Sequence, residues 1–271
     1  MLMRTIPSSG EQIAAVGVGT WQGFDVGRST SDRTPRRKVL EALLAGGASV
    51  VDSSPMYGRA EGVAGDLLAD MGRRDDAFIA TKVWTSGRDT GIRQMEDSFR
   101  LFRTDRIDLM QVHNMVDWRI HLAIMKGWKA EGRFRYLGYT HYRPQAFADL
   151  MAAMRAEPVD FVQFCYSIDE RDAEDEMLPF CAANGVATLI NLPFGGGSLV
   201  RSLKGKPLPA IAAELGCRTW AQFCLKYVIS HPAVTCAIPG TANPEHMVDL
   251  VEAAAGPIPD AAMRKRMADL F

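Results

Sequence analysis

Eight short apolar runs, rich in β-branched residues and separated by segments of helical spacing, constrain this chain more than any other feature. They are AVGVG (15–19), SVVD (49–52), AFIATK (77–82), IDLMQV (107–112), FRYLGY (134–139), DFVQF (160–164), VATLI (186–190) and VTCAI (234–238). Runs of this length read as buried strands, and the segments between them repeat apolar residues three and four apart, the helical period. Leu40, Leu43 and Leu44 make one such stripe, with Pro35 fitting a first helical position and Gly46-Gly47 stopping the helix. Phe147, Leu150, Met151 and Met154 make another behind Pro144, and Asn184-Gly185 ends the next helix. Thr219 is placed to cap a helix whose Phe223, Cys224, Tyr227 and Val228 face inward. Strands alternating with helices pair in parallel, and eight βα units fit a closed α/β (β/α)8 barrel. A doubly wound sheet is the alternative, but GVGTWQG (17–23) has neither the dinucleotide glycine spacing nor a helix after it. RTIPSSGEQIAA (4–15) predicts a hairpin that closes the barrel floor, and residues 1–271 read as one domain.

Composition narrows the function classes. The chain carries 31 Lys+Arg against 32 Asp+Glu, a net charge of −1, with 47% hydrophobic and 23% charged residues. Those are globular-domain averages, which exclude disorder and a disulfide-dense miniprotein. Near-neutral charge argues against a nucleic-acid partner, which needs a basic face. No stretch reaches the ~18 apolar residues of a membrane helix, and the N-terminus lacks the apolar core of a leader. Cys165, Cys181, Cys217, Cys224 and Cys236 are odd in number and show no zinc or dithiol spacing, so each reads as a core hydrophobe. The five histidines show no metalloprotease pairing, and no metal is expected. A reducing, cytoplasmic compartment follows.

In such barrels the active site lies at the C-terminal ends of the strands. Asp52 ends the second run and leads into SSPMYG, which puts Tyr57 on the loop above; Lys82 ends the third run and His113 the fourth. Asp52 and Lys82 are 30 residues apart, and Lys82 and His113 are 31 apart, one βα unit each. Three ionisable groups therefore meet at one mouth beneath a tyrosine. Taken singly, each has an ordinary reading: a helix cap, a solvated lysine, a hydrogen-bonded core histidine, a surface plug. Taken together at one end of consecutive strands, they point to chemistry. An ammonium beside a phenol, whose reference pKa is about 10, favours phenolate and is expected to lower that value. Asp52 holds Lys82 charged, and His113 aligns a carbonyl oxygen with the tyrosine hydroxyl. Such a set protonates an oxyanion as it forms, and a hydride must then come from a nicotinamide. A Schiff-base lyase acting through Lys82 competes, but Asp52 disfavours the neutral amine.

The segments GVGTWQ (17–22), VVDSSPMYG (50–58), FIATKVW (78–84), DLMQVHN (108–114), VQFCYSIDER (162–171) and IPGT (238–241) resemble the aldo-keto reductase family, in family order. The resemblance covers residue 4 to about residue 255. It implies a TIM-barrel oxidoreductase that reduces aldehydes or ketones with NADPH (NADP), NAD being the second cofactor, through the tetrad Asp52, Tyr57, Lys82 and His113. Tyr57 is then the proton donor, a small-molecule carbonyl the substrate, and a monomer the default state. A cofactor-bound sensor or regulatory subunit with little turnover is the alternative. For the cofactor, the resemblance implies Thr20, Trp21 and Asp52 near the nicotinamide and Gln163 at its carboxamide. Thr140-His141 replace the usual Ser-Asn, and Asn191 stands where an aromatic ring often stacks, so the stack is either absent or supplied by a neighbour such as Phe194.

Phosphate binding has support from the residues themselves. PFGGGS (193–198) and GTANPE (240–245) follow strands seven and eight, where barrels bind phosphate. Glycine-rich amides cradle an anion, and Asn243-Pro244 aim a helix N-terminus at the same place. Leu192, Pro193, Gly195, Pro239, Gly240, Thr241, His246 and Asp249 complete the expected cofactor set. Relatives place Lys or Arg around a 2′-phosphate where this chain has Gly240, Thr241, Ala242 and His246. NADPH is therefore expected to win by a smaller margin, with Arg201, Lys204 or Lys206 as the cations able to fold over. The loop after His113 is short and the chain ends at Phe271. An open, permissive substrate site lined by Trp21, Tyr57, Trp84, His113 and Trp118 is expected.

Overall fold

The computed structural model describes residues 1–271 and opens with the floor hairpin, β1 (Met3–Thr5) antiparallel to β2 (Gln12–Ala14). Then follow β3 (Val18–Gly19), α1 (Thr30–Ala45), β4 (Val50–Asp52), α2 (Ala60–Asp70), β5 (Phe78–Val83), α3 (Arg88–Phe102), β6 (Ile107–His113) and α4 (Trp118–Ala130). The second half comprises β7 (Phe134–Thr140), α5 (Phe147–Ala156), β8 (Phe161–Cys165), α6 (Met177–Asn184), β9 (Ala187–Asn191), α7 (Ser198–Leu203), α8 (Ile211–Glu214), α9 (Trp220–Ser230), β10 (Cys236–Ala237), α10 (Pro244–Ala253) and α11 (Ala261–Ala268). Strands β3 to β10 form one parallel sheet in chain order. The seam between β10 and β3 closes through parallel bridges Val16↔Ala237 and Gly19↔Gly240. Glycines allow β3 to approach both of its neighbours closely, β4 and the β10 side of the seam. A Cβ on Gly17 would lie 2.8 Å from the Val50 carbonyl, and one on Gly19 would lie 2.9 Å from the Ile238 carbonyl.

Period-two alternation sorts the strand residues into two cores. Phe78, Ala80, Leu109, Tyr136, Phe161 and Leu189 fill the barrel, with Ile6 and Ile13 of the hairpin plugging its floor. Their neighbours Ile79, Met110, Leu137, Val162 and Ile190 meet the helices. Above the plug, the next inward positions are polar: Asp52, Lys82, Gln111, Thr140 and Gln163, all buried. The helix starts follow their caps. Thr219 accepts the Gln222 N–H at 3.1 Å and Asn243 the Glu245 N–H at 2.9 Å. Helix α1 departs from expectation: Ser29 caps it by accepting the Asp32 N–H at 3.1 Å, so Pro35 lies inside the helix instead of opening it. No helix is long and apolar enough to cross a membrane.

Between α2 and α3 lies a buried carboxylate. Glu61 accepts from Thr81 Oγ1 at 2.5 Å and Ser98 Oγ at 2.9 Å, and burial pushes its carboxyl up from 4.5 to about 7. The folded state then binds a proton more tightly than the unfolded chain. Its contribution to stability is complete below about 4.5 and is lost as pH rises through about 7. Glu61→Gln is expected to remove that slope, so that melting temperatures of the variant and parent converge at pH 5 and separate at pH 8 in the variant's favour. A parent whose stability rises between those two pH values would contradict the assignment.

Candidate active site

The site is assembled from the ends of three adjacent strands. Register sets Asp52 of β4 beside Ala80, and Lys82 of β5 beside Gln111 of β6. Lys82 Nζ donates to Asp52 Oδ2 at 2.7 Å and to the Ser53 carbonyl at 2.6 Å. The other carboxylate oxygen, Asp52 Oδ1, accepts from Gln163 Nε2 at 2.9 Å and Gln111 Nε2 at 3.4 Å. Burying two charges costs several kcal/mol per ion unless geometry and further hydrogen bonds offset it, and here both carboxylate oxygens of Asp52 are engaged. Burial alone would lower the Lys82 pKa; Asp52 and Tyr57 outweigh it and hold the ammonium above its ordinary value.

Tyr57 reaches this pair through a tight turn, Pro55–Tyr57, in which Ser54 Oγ accepts the Met56 N–H at 3.2 Å. Lys82 Nζ then lies 5.2 Å from the Tyr57 ring centroid, and the His113 ring meets it edge-on at 5.9 Å. The expected fall in the tyrosine pKa does not occur. Burial pushes the phenol above its ordinary value, Lys82 pulls the other way, and Asp52 adds to the rise. Because the ammonium is already committed to Asp52, the phenol sits beside a nearly neutral pair and desolvation wins. His113 is pushed down to about 3, by burial first and then by Lys82 and His141, so its imidazole is neutral at physiological pH. Its Nδ1 lies 2.9 Å from Ser54 Oγ.

The remaining sequence-derived residues divide by where their side chains are engaged. Thr20 is buried and donates to Ser53 Oγ at 2.8 Å. Trp21, just after β3, and Trp84 are 48% and 40% exposed, and Trp84 lies 6.3 Å from the His113 ring. Trp118 packs at the start of α4. Its ring meets Tyr139 edge-on at 5.6 Å, and Tyr139 faces the helices as an outward residue of β7. Gln163 is committed to Asp52 and to Thr140, whose Oγ1 donates to Gln163 Oε1 at 3.0 Å. His141 Nδ1 accepts the Arg143 N–H at 3.2 Å, and its ring stacks on Tyr142.

At the end of β9, Asn191 Oδ1 is buried without a partner. Leu192 follows at φ 51°, then buried Pro193, half-buried Phe194, and Gly195 to Gly197, all three at positive φ. Arg201 lies over that turn, its Nη1 2.9 Å from where a Cβ on Gly197 would sit. Across the seam, the Pro239 carbonyl accepts the Gly19 N–H at 3.1 Å, Gly240 is exposed, and Thr241 Oγ1 accepts the Asn243 N–H at 3.1 Å. On α10, His246 is exposed, whereas Asp249 accepts from Thr219 Oγ1 at 2.7 Å and so ties α10 to the start of α9.

Sequence reasoning missed Ser54, Gln111 and Asn114, whose buried Oδ1 also lacks a partner. Gln111 carried a usable signal, since it lies two residues before His113 and shares its inward face. A cavity of about 600 Å³ lies at the opposite end, lined by side chains of both charge signs that include Glu11, Arg74, Asp108, Arg133 and Arg135. Chemistry, not volume, locates the site.

Comparison with known proteins agrees with this geometry. The sequence profile of the Aldo/keto reductase family matches residues 15–267. Methylglyoxal reductase YeaE of Escherichia coli (strain K12) is 29% identical over 256 residues, 91% of this chain and 88% of that protein. Aldo-keto reductase YhdN of Bacillus subtilis (strain 168) is 27% identical over 215 residues, 73% of this chain, and the match spans only 62% of that protein's length. A crystal structure of an aldo-keto reductase from Klebsiella pneumoniae in complex with NADPH superposes with a TM-score of 0.83 at 26% identity, over 100% of this chain and 96% of that one. With a parallel eight-stranded barrel, four clustered polar residues at its C-terminal mouth and a family match over most of its length, this chain belongs to the Aldo/keto reductase family.

Proposed function

We propose that this protein reduces aldehydes or ketones to alcohols with a nicotinamide cofactor, taking NADPH in preference to NADH, and that Tyr57 gives the proton. The observation that carries this reading is the buried Lys82–Asp52 pair beneath the Tyr57 ring. The residues present fit the cofactor. The orphaned Asn191 Oδ1 is an acceptor in need of a donor. The glycine turn under Arg201 and the N-terminus of α10 offer amides and a cation to phosphate. Arg201 thus stands in for the cation that Gly240, Thr241 and His246 do not provide close to the helix start. Thr20, Trp21, Thr140, His141, Asn191 and Phe194 would hold the nicotinamide half; Leu192, Pro193, Gly195, Pro239, Gly240 and Thr241 would hold the phosphates.

When bound, the cofactor supplies a hydride to the carbonyl carbon. The chain's own residues handle the oxygen. Neutral His113 hydrogen-bonds it, and Tyr57, kept protonated by burial, passes its proton to the alkoxide, a far stronger base than phenolate. Lys82 stabilises the phenolate left behind, while Asp52, Gln163 and Gln111 hold Lys82 in place. The same charged state removes the free amine that a Schiff-base lyase needs. The exposure of Trp21 and Trp84 supports a permissive substrate range. Methylglyoxal, named for the Escherichia coli relative, heads the panel to be tried. NADPH absorbance is expected to fall with methylglyoxal or another reactive carbonyl. Bound NADPH with no turnover across the panel would favour a sensor or regulatory role instead.

A further inference from the structure

Ser54 has no role in the chemistry described above, yet its hydroxyl sits between two functional groups. Ser54 is fully buried, and its Oγ accepts the Met56 N–H at 3.2 Å while lying 2.9 Å from His113 Nδ1. A hydroxyl has one proton to give and two lone pairs to receive with. No other acceptor lies within hydrogen-bond reach of Ser54 Oγ, so its proton has one destination, the Nδ1 lone pair. The reverse arrangement, with Nδ1–H donating to Ser54, would strand a buried hydroxyl proton, which costs free energy and is rare in folded proteins. If Nδ1 accepts, the single proton of the neutral imidazole resides on Nε2. The ring itself lies between Tyr57, at 5.9 Å, and Trp84, at 6.3 Å.

We propose that Ser54 is a positioning residue that fixes His113 as the Nε2–H tautomer, so that the imidazole presents a donor to the substrate's carbonyl oxygen. The opposite tautomer would present a lone pair to that oxygen and repel it. This inference rests on the carbonyl-reductase reading above, but its first readout does not. The same hydroxyl caps the turn that carries Tyr57, so one side chain sets the direction of both groups that meet the oxygen. A methyl group at this position would keep the fold of the strand end and lose both controls.

The test uses the full chain labelled with 15N-histidine, with NMR reporting which ring nitrogen of His113 carries the proton. The parent is expected to show Nε2–H. Ser54→Asp retains an acceptor for the Met56 N–H but offers Nδ1 only an acceptor, so it is expected to flip the tautomer to Nδ1–H. Ser54→Ala is expected to leave a mixture and to lower kcat/KM for carbonyl substrates about five- to tenfold, the worth of one hydrogen bond, with NADPH affinity unchanged. Ser54→Thr, which keeps the hydroxyl, is expected to restore the parent tautomer and rate. An Nδ1–H parent, or an unchanged tautomer in the folded Ser54→Asp protein, would overturn the proposal whatever the turnover. An Nε2–H parent that flips as expected but reduces no carbonyl would uphold the role of Ser54 in setting the tautomer and overturn the reductase reading alone.

Discussion

Tyr57→Phe is expected to lower kcat for carbonyl reduction by about 10²- to 10⁴-fold, the usual worth of a positioned general acid, while NADPH binds as tightly as before. The phenyl ring retains the shape that meets His113 edge-on and lies beside Lys82, so only the hydroxyl is lost. Steady-state kinetics with the best substrate of the panel, paired with a fluorescence titration of NADPH, separate the two effects. A variant that keeps its rate to within about tenfold would move the acid role to another group. The raised Tyr57 pKa also fixes the direction of the pH dependence: the donor keeps its proton across neutral pH, so the loss of reduction at high pH is expected above the ordinary phenol range, not below it.

The second large effect concerns stability. Lys82→Met leaves Asp52 buried with only the Gln163 and Gln111 amides to answer its charge. Removing one partner of a buried ion pair typically costs about 3–5 kcal/mol, a large part of the 5–15 kcal/mol that holds most domains together. Adding Asp52→Leu to Lys82→Met is expected to restore much of the stability and none of the activity, because an apolar pair needs no counter-charge. Urea unfolding of the parent, the single variant and the double variant measures the cycle. Equal stability of the two variants would mean that Asp52 is solvated or neutral in the folded protein. Turnover in the double variant would remove the pair from the mechanism.

Much of this molecule was legible before any coordinates. The eight strands fall on the eight apolar runs, because a strand buried on both faces must be apolar over four or more residues and little else in a globular chain has that signature. Asp52, Lys82 and His113 were legible as a set for a geometric reason: one βα unit separates each from the next, so equal spacing delivers them to the same end of neighbouring strands. Thr219 and Asn243 announced their caps through side chains that reach the free amides two or three residues on. Each of these signals is local or periodic, and local signals are written in the order of residues.

What tertiary structure alone decided is through-space. The sequence put an ammonium near a phenol and read a lowered pKa; the fold committed that ammonium to Asp52 at 2.7 Å and desolvated the half-buried phenol, which reversed the sign. Gln163 and Asp249 matched cofactor positions by motif, and only the folded chain shows their hydrogen bonds to Asp52 and Thr219. Trp118 lies five residues after His113, and only the fold shows that its ring meets Tyr139 edge-on. The pairing of Ser54 with His113, 59 residues apart, has no trace in either segment. Strand period and repeat length set which backbone positions meet, whereas hydrogen-bond partners and desolvation depend on distances of a few ångströms between residues far apart in the chain. Those distances exist only once the barrel has closed.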